Sequence, residues 1–391
     1  MIRNLYSNLI IVLPSFFVDK QELKLDLDVR QIGMLMEVGA YTAAENMINR
    51  GQNSVVADEN GSPSYYRSIK DIATDEAYSF ILNVTNEEQP FDDISGYQAR
   101  GLVKEVLQSM VGYNASLSKV QDAVGACSNN QTKSPISQWE GALAYLVGSI
   151  EGPETGGNFD EQGQMLYALA KENCFKFSTC AEDGDSKLNK ELLTLFREGK
   201  NELVSRSCSD LSITAQKIES TLQTVLIQST LRFALDNADL ESESESEDLA
   251  RGYVILKSIF PALENVDLES AATIERNMAF PLVSDPVPDG SEAVFEAFAK
   301  IIPLMNGIDC AEVGSVSYGD FEAGVCPVND GDESTADPGD LTSAVNNVVD
   351  QEAPHEISNG LYITSSNVKD RLVLSQPHDI FIFYHCSRSS F

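Results

Sequence analysis

Histidine is nearly missing from this chain. Only His355, His378 and His385 occur, all within the last 37 of its 391 residues. Residues 1–354 therefore cannot assemble a Ser-His-Asp or Cys-His catalytic group, an HExxH zinc site or a His-rich transition-metal centre. A metal held by the body of the chain must take oxygen or sulfur ligands, and oxygen suits hard cations such as ferric iron, calcium and magnesium. Basic charge is scarce too. The chain has 27 Lys+Arg against 60 Asp+Glu, a formal net charge of −33. That balance excludes nucleic-acid binding, which sets cations against phosphates, and argues against docking on anionic lipid. It leaves cationic partners open, metal ions above all. No run approaches the roughly 20 apolar residues of a membrane-spanning helix, and the apolar stretch Ile380–Tyr384 is far too short. One tryptophan is few for a sugar-binding cleft, and no spacing singles out the carboxylate pair of a glycosidase. We therefore expect no enzyme.

Seven cysteines are present and none forms a CxxC pair, which argues against zinc-ribbon and thioredoxin-type sites. Cys174 lies close to Cys180, and Cys310 close to Cys326. Such spacings suit local disulfides and hence an oxidising compartment; the competing reading is scattered buried thiols. Cys127 and Cys208 are further candidates, Cys386 is left over, and the connectivity stays open. Asn-x-Ser/Thr sequons at Asn60, Asn83, Asn114 and Asn130 add weak support for a secreted glycoprotein. Residues 1–25 read as a leader or an incomplete N-terminus. There Arg3 precedes the apolar stretch Leu9–Phe17, which Pro14 and Ser15 interrupt and no A-x-A site follows.

Hydrophobic periodicity is helical almost throughout, and a mainly α fold is expected. Over 30–50, Ile32, Leu35, Met36, Ala40, Ala43 and Met47 recur at three- and four-residue spacing, with Gly51 where a C-cap glycine belongs. A long helix is expected over 95–125, another over 137–150, and others over 187–206, 211–237, 247–265, 268–279 and 291–305. Ser186 and Asp210 stand where N-caps are expected. Two echoes run through this pattern. Arg50-Gly-Gln-Asn53 resembles Glu198-Gly-Lys-Asn201, and Ala99-Arg-Gly-Leu-Val103 resembles Ala250-Arg-Gly-Tyr-Val254. Matching order and offset suggest a duplicated unit of about 150 residues. The expectation is then two similar helical halves, 26–135 and 136–317, with a cleft between them as the ligand site. The acidic run Glu241–Glu247 reads as a solvated loop rather than a calcium site. Residues 318–358 lack EF-hand spacing and read as an acidic linker. Residues 359–391 read as the truncated start of a further copy or a disordered tail.

Five segments appear in a suggestive order: Trp139–Gly152, Gly163–Ala170, Cys174–Cys180, Leu226–Ala234 and Met305–Gly314. Together they resemble the algal iron-assimilation protein family, which includes the low-iron-inducible periplasmic proteins of green algae and the phytotransferrins of diatoms. The resemblance covers about residues 26–314 and is most specific over 139–234. It implies a secreted, periplasmic or cell-surface protein that binds ferric iron, with carbonate as synergistic anion, and hands it to an uptake partner. No clear signal peptide and no membrane anchor accompany it here, and the family's metal ligands cannot be placed from its motifs.

Candidate ligands therefore come from chemistry. Ferric iron seeks phenolate and carboxylate oxygens; carbonate seeks an arginine or a helix N-terminus. Glu37 and Tyr41, four apart, are expected to share a helix face; the alternative is a solvated Glu37 and a packed Tyr41. Glu140 and Glu151 share a face but stand about 16 Å apart along the axis, so each needs partners from elsewhere. Tyr145 lies between them on another face. Arg232 interrupts the apolar run Leu226–Leu235 and must meet an acid or the anion. Tyr167 and Trp139 read as core residues, and Arg100 and Arg251 as ion-pair residues near helix starts. The competing function is a cell-surface structural protein of the same fold without a metal.

Overall fold

The computed structural model describes residues 24–57, 63–66, 68–129, 135–149, 163–236, 243–279, 290–318 and 321–326. The chain divides into two units, Met1–Pro327 and Val328–Phe391, and every described residue belongs to the first. Most of the expected leader, most of the expected linker and all of 359–391 lie outside the described residues. The start of that linker is not a linker, however, because it forms the second strand of a hairpin.

The described part is mainly helical. Helix α1 (Leu25–Glu37) and α2 (Tyr41–Arg50) are followed by a two-stranded antiparallel hairpin, β1 (Val55–Ala57) with β2 (Pro63–Tyr66). Helix α3 (Asp75–Thr85) leads to α4 (Gly96–Glu105) and, through a π-helical segment (Val106–Val111), to α5 (Gly112–Asn129). Helices α6 (Pro135–Val147), α7 (Leu166–Lys176), α8 (Lys187–Ser205) and α9 (Cys208–Asp236) come next. Then follow α10 (Glu243–Val266), α11 (Leu268–Asn277), α12 (Gly290–Ile301), the short α13 (Cys310–Val313) and a second hairpin, β3 (Ser315–Tyr318) with β4 (Phe321–Gly324).

The expected helix over 30–50 is two helices. Gly39 takes φ +70°, and the N–H groups of Gly39 and Ala40 turn back to the carbonyls of Met36 and Leu35. That glycine closure ends α1 although the apolar spacing carries on through it. Local chemistry sets the other ends. Ser95 forms a capping box with Gln98 at the start of α4, Ser186 accepts from Asn189 N, and Gly51 closes α2 at φ +63°. Asp210 is not a cap: α9 begins at Cys208, which puts Asp210 in its first turn, where a carboxylate suits the helix dipole.

One hydrophobic core runs through α5–α12. Its centre is Trp139, which has no exposed surface, donates its indole N–H to Phe196 O at 2.7 Å and tilts against the Phe196 ring. Gly199, one turn further along α8, lies against the same indole so closely that a Cβ there would overlap the ring. The boundary expected at 135/136 separates α5 from α6, yet these two pack together, with Ser116 Oγ donating to Ala142 O at 3.0 Å. The echoes fare differently. Gly51 ends a helix whereas Gly199 is interior to one, while Arg100 and Arg251 are both interior to helices that pack on each other. Contacts Arg100–Glu247, Glu105–Arg251 and Ser109–Ser258 climb α4 and α10 in the same direction, so the two helices run parallel. A glycine, Gly101, allows this approach, since a Cβ there would meet Glu247 at 2.9 Å.

Three disulfides join Cys127 to Cys208, Cys174 to Cys180 and Cys310 to Cys326. The two local pairs are those the spacing suggested, and the third ties the end of α5 to the start of α9.

Candidate functional site

The sequence-derived candidates do not form one centre. Glu37 is the last residue of α1 and Tyr41 the first of α2, so they do not share a helix face. Glu37 Oε2 accepts from Arg100 Nη1 at 2.5 Å. Partial burial, with Glu87 nearby, pushes the Tyr41 phenol up, away from the phenolate a ferric ion would use. Glu140 is 7% exposed and takes the Lys200 ammonium at 2.7 Å. Tyr145 is buried, with Lys119 Nζ 5.4 Å from its ring centroid. Arg232 donates to Glu172 Oε2 at 3.0 Å and to Asn173 Oδ1 at 3.1 Å while lying over the Phe233 ring, so of its two readings the ion pair is the one present. Glu151 lies outside the described residues. Tyr167 is buried, and its hydroxyl donates to Asp185 Oδ2 at 2.9 Å. The reason for the scatter is general: a buried or half-buried charge must be neutralised where it sits. Among the described residues, no group of three or more His, Cys, Asp or Glu side chains could hold a metal ion.

Arg100 and Arg251 belong to something larger than isolated pairs. Arg251 Nε donates to Glu105 Oε2 at 3.0 Å, and Glu105 has no exposed surface. Arg100 joins Glu247 on α10 to Glu37 on α1. Glu172 from α7 is pushed up by burial but held down overall by Arg232, Arg251 and Lys104. Burial and Arg251 hold the Lys104 ammonium below its ordinary range, opposed by Glu105, Glu172 and Glu247. Opposite charges thus alternate across the α4–α10–α7–α9 junction, an arrangement that fixes helix register more than it adds stability. Its charges already answer one another.

A cleft along the N-terminal half of α9 offers more. Helices α8 and α9 are joined by a tight turn in which Arg206 takes φ +58°. Between them and the loop 306–312 lies a cavity of about 670 Å³. Helix α8 lines it with Lys190, Glu191, Thr194, Leu195 and Glu198; α9 adds Ile213, Gln216, Lys217, Ser220 and Thr221. These positions recur at helical spacing, so each helix presents one polar stripe with one apolar side chain. The third wall is Asn306, Gly307 and Glu312. That wall is held from behind: Gln228 Nε2 donates to Glu312 O at 3.2 Å and to Val313 O at 3.0 Å, and the Cys310–Cys326 disulfide ties α13 to the residue pair beyond β4. Gly307 takes φ +78°, and a Cβ there would come within 3.1 Å of Ser220 Oγ, so the loop rides closely on α9.

The charges of the cleft are unbalanced. Burial pushes the Glu191 carboxyl up, with Lys217 opposing. Burial also pushes Glu312 up, and the negative charges of Glu191 and Asp309 push it further. The two carboxylates therefore repel each other inside one cavity. Lys190 is committed to Asp183 at 2.7 Å, which leaves Lys217 as the cation acting on Glu191. Sequence reasoning passed over both acids. The one signal available was that Glu312 falls in the Met305–Gly314 segment of the resemblance; Glu191 looks like any polar helix residue.

No helix among the described residues is long and apolar enough to cross a membrane. No protein-family model, no curated protein and no solved structure matches the chain.

Proposed function

We propose that this protein is a secreted or cell-surface ferric iron binding protein that serves iron uptake, with the α8–α9 cleft as its iron site. The observation that carries the reading is the pair Glu191 and Glu312, two half-buried carboxylates that line one cavity, both pushed up by burial, with the charge of Glu191 pushing Glu312 further. A bound cation relieves both the burial cost and the repulsion. Ferric iron accepts hard oxygen donors, and the hydroxyls of Thr194, Ser220 and Thr221 and the amides of Gln216 and Asn306 line the same space. Lys217 supplies the positive charge that a synergistic anion such as carbonate needs. The family resemblance and the three disulfides, which suit an oxidising exterior, support the setting. Equilibrium dialysis of the full chain against radiolabelled ferric iron, with and without bicarbonate, tests the reading. Retention of about one iron per chain is expected, with loss of retention in Glu191→Gln/Glu312→Gln. No retained iron from any source overturns it.

A second reading has its own observation. Glu37, Glu140 and Arg232 are all spent on ion pairs that join helices. That is what a structural surface protein of this fold would do with its charges, without any metal.

A further inference from the structure

We propose that the junction of α1 and α4 is a docking surface for a basic amphipathic helix of a partner protein. The inference stands apart from the iron reading: the surface shares no residue with the α8–α9 cleft, and neither falls with the other.

Exposure comes first. Among the described residues eight large apolar side chains are exposed. Three of them meet at this junction: Met34 is 60% exposed, Val38 75% and Tyr97 46%. Met34 and Val38 stand four apart at the end of α1, so they share one face. Gly96 opens α4 against the Glu37 carbonyl so closely that a Cβ there would overlap it, which sets Tyr97 beside Val38. Arg100 braces the join. Its Nη1 donates to Glu37 Oε2, and its guanidinium lies 5.5 Å from the centre of the Tyr97 ring. A patch braced before any partner arrives lowers the ordering cost of docking, and a tyrosine held in this way suits an interface anchor.

Charge and shape select the partner. The exposed carboxylates Asp92 and Asp93 lead into α4, and exposed Glu87 acts on the phenol of Tyr41, three residues past Val38. Arg30, one turn before Met34, is the exposed cation on the same stripe, while Arg100 is spent on Glu37 and Glu247. Three acids against one cation, on a chain at −33, favour a cationic partner. A second copy of the chain would set the same carboxylates against one another across a two-fold axis. Anionic lipid meets the same repulsion. Both walls are helices, whose backbone groups are bonded internally, so they offer no sheet edge for an added strand. A helix satisfies its own backbone. Its apolar face covers Met34, Val38 and Tyr97, and its lysines or arginines reach the acids.

The test is fluorescence anisotropy of the full disulfide-bonded chain with labelled model peptides about four helical turns long. The probes are an amphipathic leucine–lysine helix, a peptide of the same composition with its leucines spread around the helix, and an amphipathic leucine–glutamate helix. Expected is a Kd of about 10 μM for the first, about tenfold weaker binding of the second and none of the third. Met34→Ser/Val38→Ser should weaken the leucine–lysine helix about tenfold. Leu268→Ser, which removes a comparably exposed side chain from α11, should change nothing. Asp92→Asn/Asp93→Asn should weaken binding and flatten its salt dependence. Equal binding of the two leucine–lysine peptides, or binding untouched by Met34→Ser/Val38→Ser, assigns the affinity to the diffuse charge of the chain and overturns the proposal. Self-association in sedimentation velocity that Met34→Ser/Val38→Ser abolishes makes the face a contact between copies and overturns it equally. So does the absence of binding by every peptide.

Discussion

Gly199→Ala sets two opposed effects against each other, and the structure decides the sign. Gly199 is interior to α8, where alanine is favoured over glycine by about 1 kcal/mol in helix propensity. Were α8 free on that face, the substitution would stabilise the protein. The face is occupied by the indole of Trp139, and the new Cβ would overlap atoms of its six-membered ring. The ring cannot turn aside easily, because its N–H is bonded to Phe196 O and no part of it is exposed. Overpacking a fixed core ring costs about 2–3 kcal/mol. Subtracting the propensity gain leaves a net loss of about 1–2 kcal/mol. The assay is urea unfolding of the oxidised protein, followed by tryptophan fluorescence. Trp139 is the only tryptophan and is fully buried, so its emission reports this contact. Trp139→Phe removes the clashing edge. The double variant, followed by circular dichroism, should therefore lose less than the sum of the two single variants, by about 1 kcal/mol. A Gly199→Ala protein with a higher urea midpoint than the parent would refute the packing of α6 on α8.

Arg251→Met should destabilise by about 3–5 kcal/mol, since among the described residues it strips the only hydrogen-bond partner from the fully buried side chain of Glu105, whose other oxygen has none there; Glu105→Gln in the same chain should restore part of the loss in urea unfolding. The disulfides should rank by the loop each closes. Paired Cys→Ser changes should cost about 4–5 kcal/mol at Cys127–Cys208, about 3 at Cys310–Cys326 and about 2 at Cys174–Cys180, and scanning calorimetry of the three variants would show another order if the cross-links did not act through the unfolded chain. The pH dependence of the cleft follows from two raised carboxyl groups. Folded-state values above the unfolded ones favour the folded state at low pH and are a liability as pH rises through them. Metal-free Glu191→Gln/Glu312→Gln should therefore melt higher than the parent at neutral pH, with the difference vanishing near pH 4; an equal Tm at both pH values would show that the two acids are solvated independently. For the same reason ferric iron held in the cleft should be released as pH falls through their raised range, which dialysis over a pH series would detect.

The helices were legible because their cause is local. Alternation of apolar residues at three and four marks α8 through α12, and Ser186 at the start of α8 and Gly51 at the end of α2 act by side-chain and backbone chemistry within a few residues. The break at Gly39 is hidden in the sequence because apolar spacing persists across it, while only the left-handed backbone of one glycine interrupts the helix. Cys174–Cys180 and Cys310–Cys326 were legible from proximity in sequence, whereas Cys127–Cys208 requires knowing that α5 ends beside the start of α9. The scatter of the described candidate residues has a related reason. In the sequence Glu37, Glu140 and Arg232 stand as isolated charges in suggestive surroundings. Their partners Arg100, Lys200 and Glu172 lie 60 or more residues away, out of reach of any spacing argument. Composition and periodicity thus determined on their own that this is an acidic, mainly helical chain without histidine chemistry over residues 1–354, because those properties are sums or short-range patterns. Only the tertiary structure decided which charges are neutralised and which are not. A carboxylate's state depends on its tertiary surroundings: at Glu312 these are burial and the charges of Glu191 and Asp309, and at Glu191 they are burial opposed by Lys217.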